Sequence, residues 1–143
     1  MANMNFSGFD QLIGKLQTMG KVGDKIANDA LKQAAQVIVQ AQKIDAPRHQ
    51  GGPANGKSEH GADALSVGRV TTSRSKNKYI QIGITDASVW EYAKGIYFLH
   101  HGFYNHISNK YIAGSQWMDT SFEKASKQAS DIMISALQKE LKF

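Results

Sequence analysis

The sequence predicts an α+β fold: a small antiparallel sheet packed against long N-terminal and C-terminal helices. Three observations predict it. Apolar residues recur at helical spacing towards both ends of the 143-residue chain, period-two alternation is confined to the middle, and a stretch rich in Gly, Pro and Asn separates the first helical part from the strands. A chain of this length is expected to form one domain, 1–143. Folding can bury about two-thirds of its extended surface, enough for a core without covalent staples.

The N-terminal helices are expected over about residues 7–45. Phe9, Leu12, Ile13, Leu16 and Met19 make one helical stripe, with Ser7 as N-cap and Asp10 in the first turn, where an acid complements the helix dipole. Gly20 and Gly23 separate this piece from a longer one. The longer one places Val22, Ile26, Ala30, Ala34, Val37, Ile38, Ala41 and Ile44 on one face and Lys25, Lys32, Gln36 and Lys43 on the other. Pro47 drives Ala46 out of the helical region, so the helix ends by Asp45. Residues 46–64 have almost nothing apolar to bury and read as a mobile loop, ending in a helical turn at Asp63, Ala64 and Leu65.

Strands are expected over about 65–103. Leu65, Val67, Arg69 and Thr71 alternate with their neighbours, and Ile80, Ile82 and Ile84 share one face of a second run; the polar stretch 73–78 joins the two as a hairpin. Tyr92 to Phe103 is dense in aromatics and reads either as a third strand or as a short helix followed by a strand, because periodicity does not separate the two. Tyr104 to Gly114 reads as a loop. From about 115 to 141 helical spacing returns with Met118, Phe122, Ala125, Ala129, Ile132, Leu137 and Leu141.

Composition narrows the function. No run approaches 18 apolar residues, which argues against a membrane span, and the opening residues lack the basic and apolar regions of a secretory signal. There is no cysteine, which removes disulfides, thiolate metal sites and thiol catalysis and is compatible with synthesis in a cytosol. The formal net charge is +5. Residues 43–78 hold seven lysines and arginines against three acids. Arg69, Arg74, Lys76 and Lys78 flank the hairpin tip, where they either meet phosphate or an acidic partner or keep an edge strand soluble.

No residue is assigned a catalytic, metal-binding or cofactor-binding role. His100, His101 and His106 are the obvious metal candidates, with Glu91 as a fourth, but adjacent residues on a strand point to opposite faces and the familiar zinc motifs are missing. Asp119 and Glu123 share a helical face and read as solvated. No nucleophile elbow or phosphate-binding glycine loop occurs. The seven aromatics between Trp90 and Tyr111 exceed what a small sheet needs for its own core, and Tyr and Trp favour interfaces. Tyr97, Phe103, Tyr104 and Trp117, with Arg69, Arg74, Lys76 and Lys78, are the candidate interface residues.

In its order of short motifs the chain resembles a family of small siphophage neck proteins, the minor head–tail joining or tail-completion proteins. An amphipathic helix (Leu12 to Leu16, then Lys25 to Lys43) ends in an Ala-Pro step, Asp45-Ala46-Pro47-Arg48. A leucine-bearing turn, Gly61-Ala62-Asp63-Ala64-Leu65-Ser66, precedes two strands. Tyr92-Ala93 leads to the run Tyr97-Phe98-Leu99-His100-His101-Gly102, and Gly114-Ser115-Gln116-Trp117-Met118 opens a helix reaching Leu141. Two departures stand out: the family's Thr-Gly-x-Leu step is replaced by a longer loop, His49 to Glu59, and the acid before the final glycine by His101.

The resemblance implies a structural virion protein of a phage or prophage, located in the tail or neck, without catalysis or cofactor. It implies a ring, six-fold in the virion, whose isolated subunits can remain monomeric until they meet the tail. Its partners would be copies of itself and other neck and tail proteins, with DNA nearby. The residues leave two rivals: a nucleic-acid-binding accessory protein using the basic 69–78 hairpin, and a small metal-dependent hydrolase using the histidines.

Overall fold

A computed structural model describes residues 10–48, 60–75 and 77–141. Helix α1 (Asp10–Thr18) is followed after a short link by α2 (Lys21–Asp45), a 3-10 turn (Gly61–Ala64), the hairpin strands β1 (Ser66–Thr72) and β2 (Lys78–Gly83), a second 3-10 turn (Ala87–Val89), α3 (Trp90–His101), a second hairpin β3 (Gly102–Asn105) and β4 (Lys110–Ala113), and α4 (Trp117–Leu141). The α+β expectation holds, but as two separate two-stranded sheets, β1–β2 and β3–β4, rather than one. Ser7, Phe9, most of the expected loop (residues 49–59) and Lys76 lie outside the described residues.

The two helix boundaries read from glycine and proline are observed. Gly23 sits against the end of α1, where any Cβ would collide with the Leu16 carbonyl, so the helices can cross closely only there. At the other end Ala46 is extended, with φ −62° and ψ 137°, as a residue before proline must be. Its amide closes the helix on the Gln42 carbonyl at 2.8 Å. Beyond it, Arg48 grips Asp63 with two hydrogen bonds of 2.8 and 3.2 Å, tying the end of α2 to the first 3-10 turn.

α2 and α4 run antiparallel, since Asp45 at the end of α2 meets Ser121 and Lys124 near the start of α4. At the other end Lys15 of α1 donates to the Leu141 carbonyl at 3.0 Å. Their interface is built on rows of every fourth residue: Ala30, Ala34, Ile38 and Gln42 on α2, and Trp117, Ser121, Ala125, Ala129, Met133, Leu137 and Leu141 on α4. Alanines at the crossing let the backbones approach, and Ala129 is 0% exposed. A row of every fourth residue rotates by about 40° per step around a helix of 3.6 residues per turn. The α4 row therefore changes partners along its length: Leu141 joins a core with Leu16 and Ala30, whereas Trp117 joins a second core with Val39, Leu65 and Ile96.

The first hairpin lies on α2. Its register, Val67 opposite Ile82 and then Val70 opposite Ile80, inserts one extra residue in β1. This bulge breaks the simple alternation expected of β1 and leaves Arg69 and Thr71 exposed, while Val70 turns partly inward.

Of the two readings of Tyr92 to Phe103, the structure takes the helix followed by a strand: α3 has Ala93, Ile96 and His100 as its buried stripe and β3 begins at Gly102, so the strands expected over about 65–103 are interrupted by helix. Tyr104 to Gly114 is not merely a loop, because Lys110–Ala113 pairs with Gly102–Asn105. The four residues of β4 are all exposed, so no hydrophobic alternation marked them as strand. Gly102 joins α3 to β3 at φ 91°, a conformation that favours glycine.

Candidate interaction surface

The surface begins with the junction that positions it. Helix α3 ends with carbonyls that have no partner inside the helix. Here the chain entering α4 supplies donors: Ser115 N–H bonds the Leu99 carbonyl at 2.9 Å and Gln116 N–H the His100 carbonyl at 3.2 Å, while the Trp117 indole N–H adds a second bond to the Ile96 carbonyl inside the helix at 2.9 Å. In return the His100 ring accepts the Met118 amide on Nδ1 at 3.1 Å, serving as a cap for α4 from another helix. The neutral ring then carries its proton on Nε2. Burial pushes the His100 pKa below its ordinary value, the neighbouring His101 adds to this, and Asp119 partly opposes it.

With Ala93, Ile96 and His100 turned inward, the opposite side of α3 is left outward. Trp90, Tyr97, Phe98 and Leu99 are exposed there. Trp90, Tyr97 and Phe98 stack edge to face with one another at 5.4 to 6.2 Å between ring centroids, and Phe103 of β3 extends the set at 6.3 Å from Phe98. The second hairpin carries Ile112, paired with Phe103, on this side and the exposed pair Tyr104 and Tyr111 on its other side, and at its tip Ile107 is 97% exposed. Beside α3, a groove of about 460 Å³ runs between the first hairpin and α4, lined by Ile82, Ile84, Asp86, Trp90, Tyr97 and Met118 among others.

The structure separates the candidate interface residues. Tyr97 and Phe103 fall on the aromatic face, and Tyr104 is exposed on the other side of the second hairpin. Trp117 lies on neither: at 6% exposure it is a core residue, fixed through its indole N–H, and its aromatic character served packing. Arg69 and Arg74 are exposed on the first hairpin. Lys78 is engaged with Asp24 at 3.3 Å and with the Thr72 hydroxyl. The histidines have different surroundings. His100 is buried against α4 and His101 lies across it at 4.5 Å, while His106 packs on Tyr104 at the hairpin tip. Among the described residues no group of three or more His, Cys, Asp or Glu side chains converges as metal ligands.

Missed in the sequence were Ile107 and Ile112. The turn signal Asn105 to Asn109 was available: the Asn105 side chain accepts from the Ile107 and Ser108 amides, and Asn109 adopts φ 52°.

Residues 10–88, more than half of the chain, match the family described as "Bacteriophage HK97-gp10, putative tail-component". The chain belongs to this phage tail-component family. No curated protein and no solved structure matches it. The matched segment covers α1, α2, the first hairpin and the second 3-10 turn, whereas the aromatic face lies almost wholly beyond it. Among the described residues no helix is long and apolar enough to cross a membrane.

Proposed function

We propose that this tail-component family member is a ring-forming subunit that joins or completes the phage tail at the head–tail interface. The observation that carries the reading is the exposed apolar surface of α3 and the second hairpin, in a chain whose family is a structural one. Exposed aromatic residues of this kind supply contact area at low cost in side-chain entropy. Copies of the chain and adjoining tail or neck proteins are the partners, assembled in the virion, and no bond-making chemistry is assigned to any residue. Arg69 and Arg74, exposed on the first hairpin, offer positive charge to passing DNA or to an acidic rim of an adjoining ring.

Gold-labelled antibody against the chain, viewed on intact virions, tests the placement. Label is expected at the junction of head and tail, and label at the far end of the tail or none on the particle would reject it. Particles made without the chain are expected to show heads and tails that fail to join.

A further inference from the structure

We infer that the tip of the second hairpin inserts into the groove beside α3 on a neighbouring copy of the chain, Ile107 entering between Trp90, Tyr97, Ile84 and Met118. The inference rests on the ring reading for its choice of a second copy as occupant. Four features support it. The hairpin packs on little besides the adjacent α3, and β4 is exposed throughout. An isolated two-stranded hairpin is marginal in water, so an arm of this kind gains order from a partner. Its tip is nevertheless already shaped, because the Asn105 side chain holds the turn through the Ile107 and Ser108 amides at 2.9 and 3.3 Å. A preformed tip loses less freedom on docking.

The charges are complementary. From Gly102 to Met118 the chain has no acid and carries Lys110 and His106 beside the tip. The groove has no lysine or arginine in its lining and carries Asp86, with His101 as its histidine. The Ser88 amide bonds this carboxylate at 2.9 Å and holds its pKa below the ordinary value, so it stays ionised. No residue from Asn105 to Lys110 lines the groove of its own chain. Arm and groove are therefore two different patches of one molecule. Such a heterologous contact repeats from copy to copy and closes into a ring when the rotation allows.

The absence of cysteine permits a direct test. Chains carrying only Ile107→Cys are mixed with chains carrying only Ala87→Cys, whose native side chain is exposed at the groove, and oxidised; Ile107→Cys mixed with Ile44→Cys serves as control, since Ile44 is exposed on a different face of α2. A transient contact suffices for trapping, so the test does not require a stable ring in isolation. The 107–87 disulfide is expected to form about tenfold faster than the 107–44 disulfide, as a docked geometry raises the local thiol concentration. Equal rates overturn the arm-in-groove contact, whatever the oligomeric state.

Sedimentation of the wild-type chain and its placement in virions report on the ring reading separately. Rings with equal cross-linking rates would discard the arm and keep the ring. Rapid 107–87 cross-linking in a chain absent from the head–tail junction would keep the arm and discard the placement.

Discussion

The antiparallel pair α2–α4 and the arm formed by β3 and β4 use apolar residues in opposite ways. In the helix pair nearly every apolar side chain of the every-fourth-residue rows is covered by the other helix, with alanine where the backbones come closest. In the arm, Tyr104, Ile107, Tyr111 and Ile112 face outward with no described element over them. The first region is complete within one chain. The second leaves apolar surface uncovered, the surface on which the proposed contacts rest.

The comparison is broken most severely by cutting into the helix pair. Leu137 is 1% exposed, and Leu137→Ala should cost about 3–4 kcal/mol, read as a lowered urea midpoint at constant slope. An effect below 1 kcal/mol would mean that the α2–α4 core is not the stabilising unit. Next in size is the junction that carries α3. Trp117→Phe removes the indole donor that ties α3 to the start of α4, while the Ile96 carbonyl keeps its bond within the helix, an expected loss of about 1 kcal/mol. Wild-type stability in this variant would show that the bond is dispensable.

A smaller effect concerns acidity. The folded His100 holds its proton less tightly than the unfolded side chain, whose pKa is about 6.5. As pH falls through that value, the unfolded chain takes up a proton that the native chain resists. Stability is therefore full above it and declines below it, until the folded pKa is reached. Protonation also turns the Nδ1 acceptor into a donor facing the Met118 amide. His100→Asn, which keeps an acceptor, should flatten the urea midpoint against pH between neutral and mildly acidic conditions. An unchanged profile would assign the acid sensitivity elsewhere.

The smallest change in folding is expected in the arm. Ile107→Asp and Tyr111→Ser should each alter stability by less than about 0.5 kcal/mol, as exposed substitutions do, while impairing incorporation into particles. Loss of more than 1 kcal/mol from either would show that the arm supports the core after all and would erase the contrast between the two regions.

Much of this fold was legible in advance. The break at Gly20 and Gly23, the stop before Pro47, the strand through Ile80 and Ile82 and the long last helix all follow from rules acting over a few residues: backbone strain, ring closure in proline, and the periods of helix and strand. Arg69 and Tyr97 were also readable as surface candidates from their residue types. What stayed hidden depended on pairing between segments. The bulge in β1 is set by how Val67 and Val70 meet Ile82 and Ile80 across the first hairpin, and β4 exists because β3 pairs with it. Neither leaves a periodic mark.

By itself, then, the order of residues determined where the chain is helical, where it turns and which side of each long helix is apolar, because those properties arise locally. Tertiary structure alone decided which aromatic residues are used up inside. Trp117 and Trp90 are the same residue type, yet one is sealed beneath α3 by an indole bond to Ile96 and the other stands exposed above the groove. That difference comes from how α3 is clamped to the start of α4, a contact between segments about twenty residues apart whose outcome no local pattern encodes.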